Sequence, residues 1–365
     1  MTNTNTEIKI AMVCSLPYGY GGMENMISIL LNHAKSIGHI EPFFFDFHNG
    51  ENKRFCLSQN ICLPHKKLPR IVQEAYIILQ LRSFISYFDP DCIICLDDKS
   101  CQLTYRSMAL LRQKNLALGS WLHRSLHTYK KTNYIKKMGF HIAISKGLKL
   151  QLEEIGVPPE KIFYLPNCNT SNYTISSLPE KLSLNEIIHF VYIGRVQFEA
   201  QKNLQDLFLA FARVEAPCHL DIIGDGPRQE VLKCKKLCKE LGISEKVTFH
   251  GWQPNAWQYL ETKRILNIAA LCLTSTYEGF PLVLIEAISQ GIFCISSDCP
   301  TGPKDILNAD NGILYSTGNI TELTQAMYSS INTKKNRSTI RKTSTQYSQK
   351  KYISNFKQII FKNHE

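Results

Sequence analysis

Short runs of consecutive apolar and β-branched residues alternate along this chain with longer stretches in which apolar positions recur every three or four residues. A continuous apolar run marks a strand covered on both faces, and the three-to-four spacing marks a helix that does the covering. In the first half "IKIAMVCS", "EPFFFDF", "DCIICLDD", "LALGSWLH", "FHIAIS" and "IFYLPN" read as strands. "MENMISILLNHAKSIGH" and "RIVQEAYIILQLRSFISYF" read as helices, with further helical segments between. The polar stretch "NCNTSNYTISSLPEKLSLNE" breaks this rhythm and places a linker near residues 167–186. Alternation then resumes through "IIHFVYIGR", "CHLDIIGDGP", "KVTFHGW", "ALCLTS" and "FCISSD". Such a pattern predicts an α/β chain with two Rossmann-like, doubly wound parallel-sheet domains facing a cleft. The expected bounds are 1–168 for the N-terminal domain and 169–345 for the C-terminal one. Residues 346–365, which include the helical pattern "KYISNFKQIIFKN", are expected to pack back on the N-terminal domain.

Composition narrows the class. The chain has 365 residues, enough for two cores, with 44% hydrophobic and 20% charged residues, as in soluble globular proteins. No apolar run reaches the length of a membrane span, and the N-terminus lacks a basic start followed by an export core, so a cytoplasmic location is expected. Thirteen cysteines are scattered through apolar stretches, which reads as reduced, buried thiols; Cys92 and Cys95 have no second pair at a metal-binding spacing. The formal net charge of +11 comes from the first half and the tail. A basic first domain suits an anionic surface or substrate. "HTYKKTNYIKKMGF", residues 127–140, interleaves Tyr129, Tyr134 and Phe140 with lysines, a composition suited to a lipid headgroup region and equally to a solvated helix with its aromatics in the core.

The chemistry concentrates in the second half. In "STYEGFPLVLIEAISQGIFCISS", Pro281 and Gly291 bracket a helix that surrounds Glu286 with apolar neighbours. A buried carboxylate needs donors, and few lie nearby in the sequence, which raises the expectation that a ligand supplies them. The strand ends of this half offer Arg195, Lys202, the glycine turn at Gly224, and the open amides at Leu282 and Val283. Two cations and a helix start suit a diphosphate, and Glu286 in the same helix suits ribose hydroxyls.

The residues Glu278 and Glu286 form an E-x7-E motif. Together with "GYGGMEN", "GRVQFEAQKN", "IIGDGP", "FHGWQPNAWQY", "TSTYEGFPLVLIEAISQGIFCISSDCPTGPKDIL" and "NGILY", they resemble the retaining glycosyltransferases of the GT-B fold, family 4, over nearly the whole chain. Within the family these motifs are most similar to those of enzymes that build the outer core of bacterial lipopolysaccharide. The resemblance implies transfer of a hexose, galactose from UDP-galactose, to a core glucose in α-1,6 linkage.

It also implies roles. Arg195 and Lys202 would neutralise the diphosphate, Glu286 would bind ribose, and Glu278 with the backbone at Phe280, Pro281 and Leu282 would hold the donor sugar. Gly21, Gly22 and Gly224 would let backbone approach the donor. His123 would stand near the reacting centre, with Asp97 at the acceptor. The acceptor hydroxyl would attack from the face the leaving group departs, retaining configuration without a covalent intermediate. No D-x-D-like cluster is expected at a strand end in the cleft, so neither metal nor cofactor is expected. Expected partners are a UDP-sugar, a lipid-linked phosphorylated glycan and an anionic membrane surface, with no nucleic acid. A same-fold transferase of capsule or O-antigen synthesis remains the near alternative. A nicotinamide oxidoreductase is remote, because "CSLPYGYGGMEN" is not G-x-G-x-x-G.

Overall fold

The computed structural model describes residues 7–16, 21–47, 60–109, 116–129, 132–332 and 336–364. It divides into two compact units, one of residues 1–167 with 349–365 and the other of residues 168–348. The divisions fall beside the expected 168/169 and 345/346.

The first unit holds a seven-stranded sheet of β1 (Lys9–Ser15), β2 (His39–Phe45), β3 (Ile61–Cys62), β4 (Cys92–Cys95), β5 (Ala117–Leu122), β6 (Phe140–Ala143) and β7 (Ile162–Tyr164). Their order is β3-β2-β1-β4-β5-β6-β7, with every pairing parallel. Strands buried on both faces need apolar residues on both, and β4 obliges: Cys92, Ile93, Ile94 and Cys95 are all fully buried. Burial pushes the Cys92 thiol far up, so it is an inert, neutral core residue. The helix Gln349–His364 belongs to this unit, where Phe356 packs on Trp121 of β5 at 5.9 Å and Lys357 Nζ donates to the Ser36 carbonyl at 2.9 Å.

The second unit repeats the plan with β8 (Ile188–Ile193), β9 (Cys218–Ile223), β10 (Val247–Gly251), β11 (Ile268–Leu273), β12 (Cys294–Ser297) and β13 (Gly312–Tyr315), ordered β10-β9-β8-β11-β12-β13 and all parallel. Its chain order reverses between β8 and β11, as that of the first unit does between β1 and β4. A crevice opens at such a point, because the connections leave it in opposite directions.

Two segments are described by their contacts. The polar stretch 167–186 is no free linker: it is strapped along the second unit. Glu261, in the helix Ala256–Thr262, accepts from Ser176 Oγ at 2.9 Å, Ser177 Oγ at 2.6 Å and the Tyr173 hydroxyl. Hydroxyls of Ser177, Tyr173 and Ser176 hold its carboxyl down, to about 2. Gln290 adds a second fastening, its Oε1 accepting from Ile175 N at 2.7 Å while its Nε2 donates to the Tyr173 carbonyl at 2.7 Å. In the stretch 127–140 the aromatics pack against this unit. Tyr129 and Phe140 are buried, and Tyr134 lies against Tyr105 at 5.9 Å with Arg106 over its ring. Lys130 and Lys131 lie outside the described residues.

Candidate active site

At the switch point of the second unit, the loop after β8 runs from Gly194 to Asn203 and meets the loop after β11. The Thr274 hydroxyl donates to the Lys202 carbonyl at 2.9 Å, and Thr276 N donates to the Gln201 carbonyl at 2.8 Å. These bonds fix Lys202 where its ammonium donates to Glu278 Oε1 at 2.6 Å, and Ser275 Oγ donates to the same oxygen at 2.6 Å. The Lys202 and Glu278 side chains are only 15% and 8% exposed. Arg195 is exposed, and its Nη2 donates to Gln201 Oε1 at 3.0 Å while Gln201 Nε2 reaches the Tyr277 carbonyl at 3.1 Å. One cation is thus sheltered and paired; the other stands open beside it on the same loop.

The loop carrying Glu278 is clamped from behind by residues the sequence reading passed over. Ser297 Oγ donates to the Ser275 carbonyl at 2.5 Å, and the Thr301 hydroxyl donates to the Glu278 carbonyl. Gly302, at φ +94°, lies so close that a Cβ there would sit 2.6 Å from Pro281 Cδ. Phe280 is buried against Tyr347, with centroids 5.9 Å apart. The helix then spans Leu282–Ser289, so Pro281 is its N-cap rather than its first residue, and no side chain caps its first amides. Open amides at a helix start are suited to an anion.

Glu286 departs from its expected setting. Val283, Glu286 and Ser289 form the half-exposed stripe of a helix that is otherwise buried, so the helix is not covered all round. Nor are its donors missing. Thr170 Oγ1 donates to Glu286 Oε1 at 2.6 Å and Trp257 Nε1 donates to Oε2 at 3.2 Å. Burial raises the Glu286 pKa, against the pull of the Thr170 and Trp257 hydrogen bonds. Nothing near Glu286 in the sequence announced either partner: Thr170 arrives on the strap, and Trp257 on the helix after β10.

Gly224 has a packing explanation. A Cβ there would fall 1.9 Å from the Gly194 carbonyl oxygen, so the turn after β9 can close on the end of β8 only with glycine at this position.

In the first unit, Gly21 is the N-cap of the helix Gly22–Asn32; a Cβ on it would meet the Glu24 carboxylate, 2.5 Å away, a mobile obstacle rather than backbone. Asp97 caps the helix Asp98–Met108, its Oδ1 accepting from Ser100 N at 2.6 Å and its Oδ2 from Ser15 N at 3.0 Å. Oδ1 thus caps the helix that follows β4 while Oδ2 ties this loop to the end of β1, which is the work of a loop cap. His123, just past β5, is different: neither ring nitrogen has a hydrogen-bond partner, and the ring lies 4.3 Å from that of Trp121. Burial, then the charge of Arg124, lowers its pKa to about 3, so the imidazole is neutral at ordinary pH.

Comparisons with known proteins agree on what these two units are. Residues 178–347 match the family "Glycosyl transferases group 1". The chain is 35% identical over 319 residues to the lipopolysaccharide 1,6-galactosyltransferase of Salmonella typhimurium, covering 86% of this chain and 87% of that protein. This chain belongs to the group 1 glycosyltransferases.

The glycosyltransferase also superposes on the apo form of the lipopolysaccharide outer core galactosyltransferase WaaB, with a TM-score of 0.86, 31% identity, and 97% and 99% of the two chains covered. Anabaena HepE in complex with UDP shares the fold, with a TM-score of 0.77 at 17% identity over 97% and 100% of the chains. The architecture is GT-B. The E-x7-E pair of the glycosyltransferase therefore lies at the switch point of its second unit, with Glu278 in the loop and Glu286 one helical turn past Leu282.

Proposed function

We propose that this glycosyltransferase moves galactose from UDP-galactose to a glucose of a lipopolysaccharide core, in α-1,6 linkage and with retention of configuration. The observation that carries the reading is the sheltered Lys202–Glu278 pair at the head of an uncapped helix. As the bond between sugar and phosphate breaks, negative charge grows on the diphosphate. A lysine already fixed, an exposed arginine beside it, and the amides at Leu282 and Val283 would stabilise that charge without reorganising. Glu278 would orient the sugar hydroxyls, and Glu286, with Thr170 and Trp257 holding it, would accept from ribose. A neutral His123 would accept or donate one hydrogen bond near the reacting centre, and Asp97 would act through the loop it caps.

Because cations of the protein neutralise the diphosphate in this reading, the reaction would need no metal or cofactor. The acceptor would be a lipid-linked, phosphorylated glycan, reached from the cytoplasmic side of a membrane to which the enzyme binds peripherally. The +11 net charge supports that partner. Thermal shift with UDP, GDP and NAD tests the donor class: stabilisation by UDP alone is expected, since a ligand of the folded state raises stability by mass action. Stabilisation by GDP or NAD in its place would reject the donor. Turnover with UDP-galactose against UDP-glucose tests the sugar, and turnover abolished by EDTA would contradict metal independence.

A further inference from the structure

The helix Arg70–Phe88 is apolar on both sides. Its inner face is core: Ile77, Leu81, Phe84, Ile85 and Phe88 are buried, with Phe84 against Phe43 of β2 at 5.2 Å. Its outer face should therefore be polar, and it is not. Ile71 is 77% exposed, Leu79 58% and Tyr87 91%, and Leu68, Val72 and Tyr76 are exposed with them. Val72, Tyr76 and Leu79 follow one another at helical spacing, so they form a single stripe, with Leu68 in the bend just before the helix. Serines at 83 and 86 continue that stripe towards Tyr87.

Charge decides what this stripe fits. The one acidic side chain of the helix, Glu74, is 15% exposed and neutralised by Lys99, by Arg106 at 3.2 Å and by Arg70 at 3.8 Å. Exposed cations gather at the start of the helix: Lys66, Lys67 and Arg70. The turn that bears them is fastened to the helix, because Gln73 Nε2 donates to the Leu68 carbonyl at 2.8 Å and to that of Lys66 at 3.3 Å. The helix cannot be a span, since no helix among the described residues is long and apolar enough to cross a membrane. An apolar stripe with cations at one end and its acid neutralised is complementary to an anionic lipid surface, with the helix lying in the plane of the headgroups.

We propose that the outer face of Arg70–Phe88, with Lys66 and Lys67, docks this enzyme on an anionic bilayer. The inference rests on the peripheral-membrane reading above and moves it from residues 127–140 to a named surface. Vesicle sedimentation of the full chain tests it, with phosphatidylglycerol-containing against pure phosphatidylcholine vesicles at low and high salt. The wild type is expected to favour the anionic vesicles and to lose that preference at high salt. Lys66→Glu with Lys67→Glu is expected to lower partitioning about 25-fold or more, at about fivefold for each lysine. Ile71→Ser with Leu79→Ser is expected to lower it about tenfold. All four side chains are exposed, so an unchanged Tm should accompany both variants, and turnover on a delipidated acceptor should match the wild type. Turnover and lipid binding are read separately, so a failed donor assignment leaves this result intact. Equal binding to both vesicle types, or wild-type sedimentation of either variant, overturns the proposal. A dimer that the serine pair dissociates without altering lipid binding also overturns it, and gives the face to a second copy of the chain.

Discussion

Replacing Lys202 with methionine separates what holds the site together from what the site does. The substitution keeps the volume of the stem and deletes the ammonium, leaving Glu278, 7% exposed, with Ser275 as its remaining side-chain donor. Removing one partner of a buried ion pair costs about 3–5 kcal/mol, because the other charge is left uncompensated. The lower figure applies here, since Ser275 stays and Lys202 is partly solvated. For a unit the size of residues 168–348, about 3 kcal/mol corresponds to a Tm loss of roughly 6–12 °C. Glu278→Gln should cost less, since a neutral amide is easier to bury and the freed ammonium can reach water. Combining the two should recover most of the lost Tm, because no unpaired buried charge remains. Turnover behaves otherwise: Lys202→Met should lower it roughly a hundredfold by withdrawing charge from the leaving diphosphate, and the double variant should stay at least as low. Scanning fluorimetry and single-turnover transfer from UDP-galactose, run on all four proteins, give both readings. A Lys202→Met protein with wild-type Tm would refute the buried-pair argument. A double variant that regains turnover would refute the role of Lys202 at the diphosphate.

Other substitutions probe the remaining contacts. Glu286→Gln should weaken UDP binding about tenfold while leaving turnover at saturating donor within a fewfold; unaltered UDP affinity by calorimetry would remove Glu286 from the ribose site. Gly224→Ala should cost about 3 kcal/mol or more, since its Cβ would lie 1.9 Å from a backbone oxygen at φ +141°; a wild-type melting curve would contradict that packing. His123 has a folded pKa near 3 against an ordinary 6.5, so over that interval the unfolded chain binds the proton and the folded one does not. Stability should therefore fall as pH drops from about 6.5, by up to about 1.4 kcal/mol per unit. His123→Phe should flatten that slope, and an identical slope in the variant would show that the ring is not buried neutral.

Much of this was legible before any coordinates. The apolar runs located the long central strands, because a parallel strand covered on both sides must be apolar throughout, as "CIICL" and "ALCLT" are. The two-residue strand β3 is too brief to leave a pattern, and β13, Gly312–Tyr315, was not read as a strand. Of the candidate site, the gathering of Glu278, Lys202, Arg195 and the helix start was legible because they follow predicted strands, where the loops of a doubly wound sheet must gather. The clamp from Ser297, Thr301 and Gly302 was not found, since nothing about a serine or threonine in a loop announces which carbonyl it will reach.

The sequence by itself determined the alternation of strands and helices, the two sheets, and the type of residue at each strand end, because these follow from periodicity and local backbone preference. Tertiary structure alone decided who partners whom. Thr170 meets Glu286 across 116 positions of chain, and Lys202 meets Glu278 across 76. It also decided that the aromatics of 127–140 turn inward while a helix apolar on both sides leaves one side to solvent. A hydrogen bond or a buried face depends on distances between segments, and those distances exist only once the sheets have assembled.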